Sequence, residues 1–205
     1  MQTRSYTKDE RALTRIAASQ GGFFTSKQAA AIGYTAPKRS YHVHAGNWVR
    51  ERRGIFRLTT QPLPQRPDLI LWWLWSRNRQ DDPQGVYSHQ TALSLHELTD
   101  VMPSRLHMTV PTGFRRSAAK PKAVVLHKTQ LSSSDVEHVD GVPVTKPLRT
   151  LLDVTASASL TGEDLRTAFA EAVRTGKITR AEIAAVKRDP LRREGLRLLQ
   201  GRKRD

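Results

Sequence analysis

Between Thr7 and Leu58, capping residues and glycines cut the chain into segments that leave room only for three small helices and a hairpin. Thr7 with Glu10 three residues on makes a capping-box pattern. Ala12, Leu13, Ile16 and Ala17 then recur at helical spacing until Gly21-Gly22, which predicts a helix from about Lys8 to Ser19. Thr25 with Gln28 repeats the box and opens a short helix, Ser26 to Ile32, ended by Gly33. Thr35 is placed to cap a third helix that runs to Ala45-Gly46, and Pro37 is tolerated in its first turn because that N–H has no helical partner. Two short helices joined by a tight glycine-containing turn are the helix-turn-helix pattern. Trp48 to Arg52 then alternates as a strand, Arg53-Gly54 supplies a turn and Ile55 to Leu58 a second strand. A hairpin directly after the third helix is a wing.

Charge says what such a head would meet. The chain carries 34 Lys and Arg against 19 Asp and Glu, a formal net charge of +15. Residues 1–60 alone hold 11 basic against 3 acidic residues, so the excess is concentrated on the helices and the wing. A field of this sign attracts polyanions. A third helix lying in a major groove would bring Thr35, Lys38, Arg39 and His42 toward base edges, where Lys and Arg donate to guanine. Arg50, Arg52, Arg53 and Arg57 on the wing would meet phosphates and set register. Tyr41, Val43 and Trp48 read as core anchors. The plainer reading is that each cation is a solvated surface charge, and winged helices also serve as protein-interaction modules.

The segment from Gln61 to Pro67 has three prolines in seven residues, QPLPQRP, and reads as a stiff linker between a winged helix-turn-helix at 1–60 and a second domain at 68–205. A tryptophan-rich helix, Leu69 to Trp75, suits a core better than an exposed surface. Strands are expected at Val86-Tyr87, Arg105–Val110, Ala123–His127, Val136–Val139 and Val142–Val144, the last two joined by the Asp140-Gly141 hairpin turn. Helices are expected at His89–Leu98, after Pro147, at 162–175 and 179–186, with a basic helical tail from Arg188 to Arg204. The fold class is therefore α+β: an N-terminal winged helix-turn-helix followed by a mixed α/β C-terminal domain.

The chain has no cysteine, which excludes disulfides, thiolate metal sites and cysteine nucleophiles. No stretch of eighteen apolar residues occurs and the start lacks a secretory h-region, so the expectation is a cytoplasmic protein without a membrane partner. His89, His96, His107 and His127 invite a metal or acid–base reading but bring no carboxylate pattern with them. Asp135, Glu137 and Asp140 straddle a strand and a turn and read as a solvated edge. Neither a phosphate-binding glycine loop nor a nucleophile elbow is present. No catalytic residue, cofactor or metal is expected.

The stretch YHVHAGNWVRERRGIFRL, followed in order by VYSHQTALSLHEL, RLHMTVP and VDGVPVTKPLRTLLDV, resembles the AbiEi antitoxin family of type IV toxin–antitoxin, abortive-infection systems. The resemblance implies a winged helix that binds and represses its own promoter, and a C-terminal antitoxin domain. That domain would counteract a nucleotidyltransferase-like toxin without a stable complex. It places the DNA work on Lys38, Arg39, His42, Arg50, Arg52, Arg53 and Arg57. The protein would be a monomer in solution or a dimer on double-stranded promoter DNA. Two alternatives stand beside it: a degenerate DNA-targeted nuclease using Asp135 or Asp140, and an adaptor docking through the Leu69–Trp75 helix.

Overall fold

The computed structural model describes residues 7–100, 102–116, 120–157 and 160–201. The last residues of the expected basic tail, Arg202 to Arg204, lie outside them. Two compact units are present. One comprises residues 1–85 with the turn 140–142, the other 86–139 and 143–205.

The first unit is a winged helix. Helix α1 (Lys8–Ala18) starts on a complete capping box, with the Thr7 hydroxyl accepting from Glu10 N and the Thr7 N–H donating to the Glu10 carboxylate. Such a cap is worth about 1 kcal/mol. Strand β1 (Phe23–Thr25) leads into α2 (Ser26–Ala31), which opens on the Thr25/Gln28 box, and α3 (Ala36–His44) follows. Thr35 is the N-cap residue of α3, but its side chain makes no capping bond. Strands β2 (Trp48–Arg52) and β3 (Ile55–Leu58) form the wing, and β1 adds to it in the order β1-β3-β2, all antiparallel.

This small sheet is covered on both faces. One face carries Phe24, Trp48, Phe56 and Leu58, which pack with Leu13 and Ala17 of α1, Ala29 of α2 and Tyr34. The other, with Phe23 and Ile55, is overlain by α4 (Pro67–Trp75), whose Leu69, Ile70, Trp72, Leu74 and Trp75 are buried. Burying each such side chain contributes roughly 1.5–3 kcal/mol. The core reading of the tryptophan-rich helix therefore holds. The helix completes the first unit, whereas the sequence reading opened a second domain with it. Gly21 shows how close the approach is: at φ +58°, a Cβ there would stand 2.3 Å from Ile70 Cδ1.

The second unit is α+β. Its sheet runs β6-β5-β4-β8-β7, from β4 (Val86–Tyr87), β5 (Leu106–Val110), β6 (Val124–Lys128), β7 (Val136–Val139) and β8 (Val142–Thr145). Strand β5 is antiparallel to β4 and parallel to β6, while β4 is parallel to β8. Asp140 and Gly141, both at positive φ, turn β7 into β8. Helix α5 (His89–Leu95) packs on β5 and on α6 (Pro147–Ser157). The helices α7 (Gly162–Arg174), α8 (Arg180–Arg188) and α9 (Pro190–Leu199) complete a core around Leu93, Leu148, Leu151, Phe169, Leu196 and Leu199.

Candidate nucleic-acid interface

Helix α3 has no buried residue. It is held from one side only: Val43 packs on the core and His42 stacks on Trp48 with ring centroids 4.7 Å apart. The opposite side leaves Ala36, Pro37, Lys38, Ser40, Tyr41 and His44 exposed, Tyr41 at 67%. Tyr41 is thus a surface residue, and the expectation of a core anchor fails because the flank of α3 turned to the core carries His42 and Val43 instead. Trp48 and Val43 do pack inward as expected.

Beside α3 the wing contributes a groove of about 410 Å³, bordered by Arg39, Ser40, His44, Arg50 and Arg53, with Ser26 of α2 at its rim. Lys38, Arg50 and Arg53 are exposed, and no acidic residue among the described ones lies within ion-pair distance of them. Thr35, also exposed, sits at the head of the helix. These four are free to meet a ligand.

The other four residues singled out from the sequence make contacts within the protein, Arg52 while still exposed. Arg39 donates through Nη1 to the Tyr34 carbonyl at 2.5 Å, fixing the turn ahead of α3. His42 lies between Trp48 and Tyr34, half-buried, with its Nδ1 3.3 Å from Asn47 Nδ2. Arg57 pairs with Glu51 at 2.9 Å. The Arg52 guanidinium lies 4.0 Å above the Trp72 ring of α4. A β-bulge explains the split within β2. Arg50 stands opposite Phe56, but the register slips at Glu51 and Arg52 then stands opposite Ile55, on the other face. Simple alternation puts both arginines on one side; the extra residue separates them.

Three of the four histidines read from the sequence meet in the second unit. His89 at the start of α5 stacks on His127 of β6 with centroids 3.5 Å apart, and His107 of β5 shares a 3.1 Å hydrogen bond with His127 between Nδ1 and Nε2. His89 takes a left-handed φ of +53°. Burial first, then the two neighbouring imidazoles, depresses His89 to about 3. Burial and His127 depress His107 to about 4, and burial lowers His127 as well. The trio is therefore neutral near pH 7. Its rings lie stacked, and among the described residues no three His, Asp or Glu side chains converge as metal ligands. His96 is elsewhere, its Nε2 2.7 Å from the Thr145 carbonyl, tying α5 to β8.

Asp135 is not the solvated edge that the sequence suggested. It is 7% exposed, and both its oxygens are occupied, by Arg149 Nη1 at 2.9 Å and by Arg192 Nη1 and Nη2 at 2.9 and 3.0 Å. Burial would raise this carboxyl, but the two guanidinium groups outweigh burial and hold it below its ordinary value. Asp135, just ahead of β7, thus ties α6 to α9, and with both oxygens held by guanidinium groups it is not an open metal ligand.

The fold and this exposed helix-and-wing surface define a class: a two-unit winged-helix protein with an α+β C-terminal unit. Residues 11–59 match the family model described as transcriptional regulator, AbiEi antitoxin, and residues 85–198 match that of the AbiEi antitoxin C-terminal domain. The chain belongs to the AbiEi antitoxin family. The crystal structure of the RV2827C protein from Mycobacterium tuberculosis resembles it with a TM-score of 0.55 at 14% identity, over 99% of this chain and 84% of that one, a likeness of fold. No curated protein matches the chain. No described helix is long and apolar enough to cross a membrane.

Proposed function

We propose that the protein is a DNA-binding autorepressor and antitoxin of a type IV toxin–antitoxin system, with the second unit counteracting a nucleotidyltransferase-like toxin. The observation that carries the DNA reading is the α3 face: a helix with no buried residue, exposing Thr35, Lys38 and Tyr41, beside a groove bordered by Arg50 and Arg53. Lys38 and Thr35, in the first turns of α3, are the base-reading candidates, and Arg50 and Arg53 the phosphate contacts. Arg39, at the border of the groove, ties α3 to the Tyr34 carbonyl, His42 supports the helix from the core side, and Arg52 and Arg57 make their contacts on the other face of the wing. Repeated promoter elements would place one α3 of each bound copy in a major groove.

The test is a mobility shift with the chain's own upstream DNA at two salt concentrations. Wild type binds, and binding weakens with salt. Lys38→Ala costs about 1–3 kcal/mol on the best site and narrows its advantage over unrelated DNA. Equal affinity of wild type and Lys38→Ala for both DNAs would refute the base-reading role. For the antitoxin half, co-expression should restore growth to cells making the partner toxin. Failure to do so at equal protein levels would refute that half alone.

A further inference from the structure

The wing turn, Arg53-Gly54, does not stand by itself. The Gly54 carbonyl accepts from Ser26 N at 3.0 Å and from Arg77 Nη2 at 3.1 Å. Arg77 follows α4, outside the residues that match the winged-helix family model. Its side chain is only 11% exposed and reaches in three directions. Nη2 holds the wing turn, Nη1 donates to the Leu74 carbonyl at 2.8 Å and Nε pairs with Asp81 at 2.8 Å. The second oxygen of Asp81 accepts from the Thr25 hydroxyl, and Thr25 is the N-cap of α2. Asp81 adopts a left-handed φ of +77°, a conformation a non-glycine residue holds when its surroundings require it. Gly54, at φ +75°, holds a backbone conformation that side chains rarely adopt, and a Cβ there would lie 2.8 Å from Arg77 Nη2 and displace the guanidinium. Lys27 of α2 also donates to the Arg79 carbonyl in the same loop.

Resting on the DNA-binding reading above, we infer that Arg77 and Asp81 are positioning residues for DNA: the buried pair locks the wing turn so that Arg53 is presented beside α3 before any DNA arrives. A wing that must be ordered on binding loses affinity to the entropy of that ordering, and one held in advance does not. The planar guanidinium suits the task because its fork donates to two carbonyls while its charge faces the Asp81 carboxylate; a lysine keeps the charge but not the geometry.

The experiment measures binding of the full chain to its own upstream DNA by fluorescence anisotropy over a range of salt, with thermal unfolding to confirm folding. Four proteins are compared: wild type, Arg53→Ala, Arg77→Lys and the double variant. Arg53→Ala should weaken binding by roughly tenfold and lower the salt slope by about one, and Arg77→Lys should weaken it about as much, because ordering the unlocked wing costs what the Arg53 contact returns. The double variant should then bind within about twofold of Arg77→Lys, the non-additivity expected of coupled residues. Additive losses, on the order of a hundredfold together, or an unchanged affinity in Arg77→Lys, would overturn the inference while leaving the DNA reading intact. Absence of salt-dependent binding by wild type would overturn both. Should Arg77→Lys fail to fold, Asp81→Asn combined with Arg53→Ala decides by the same criterion.

Discussion

Arg50 and Arg52 are two positions apart in one strand and have different work. The bulge at Glu51 leaves Arg50 beside α3 and turns Arg52 onto Trp72. An arginine over a tryptophan face contributes about 0.5–1 kcal/mol at an exposed site, rising when the pair is desolvated. Arg52→Ala should therefore lower stability by about that amount in chemical denaturation, with promoter affinity close to wild type. A larger loss of affinity than of stability would place Arg52 on the DNA instead. Asp135 gives a second residue-scale expectation. Removing its carboxylate takes away the charge that Arg149 and Arg192 share, leaving Asp153 beside the first and Asp189 beside the second. Asp135→Ala should cost about 3 kcal/mol of stability, the usual penalty for breaking a buried pair from one side. A loss below about 1 kcal/mol, as for a surface pair, would contradict the burial argument.

At the scale of elements, what was legible in the sequence was what is local. The capping boxes at Thr7/Glu10 and Thr25/Gln28 and the Asp140-Gly141 turn depend on residues within three positions, and each appears where the pattern put it. Strand β1 was not legible. Phe23-Phe24-Thr25 is too short to show alternation, and its partner, Ile55 to Arg57, lies about thirty residues downstream. The role of α4 was hidden for the same reason. Its apolar surface announces burial, but nothing local says that the face it covers belongs to the wing. The prolines between Gln61 and Pro67 looked like a boundary; they carry the chain across to where α4 folds back over Phe23 and Ile55. The tight approach of α4 to the end of α1 supplies a test. Gly21→Ala combines a left-handed backbone with a methyl group 2.3 Å from Ile70 Cδ1, and should destabilise the protein by about 1–3 kcal/mol in urea. A neutral substitution would mean that α4 does not pack there.

At the scale of the whole molecule, the two units should respond differently to acid, because the histidine trio and Asp135 both lie in the second. A histidine whose pKa is lower folded than unfolded favours the folded state while it is neutral. Stability contributed by His89 and His107 is therefore intact above about pH 6.5, the unfolded value, and falls as pH drops toward their folded values of about 3 and 4. Asp135 works in the same direction at lower pH. Its folded value is depressed, so its contribution is present above the ordinary carboxylate range and is lost as the carboxylate protonates. Thermal melts of the second unit should move to lower temperature from about pH 6.5 downward, and His107→Gln should reduce that dependence. A melt independent of pH between about 7 and 4.5 would contradict the buried, neutral trio. The meeting of these histidines was not visible in sequence, since α5, β5 and β6 bring them together from positions 18 and 20 residues apart.

The central claim is that the face of α3 with the near side of the wing, and not basic charge at large, binds DNA. The most direct measurement compares two double variants that each remove two positive charges, Lys38→Ala with Arg53→Ala and Arg52→Ala with Arg57→Ala, titrated against the same promoter fragment at several salt concentrations. The first pair should lose at least roughly tenfold in affinity and about two units of salt slope, while the second stays within about twofold of wild type with its slope unchanged. Equal losses from both pairs, or a larger loss from Arg52 and Arg57, would contradict the account.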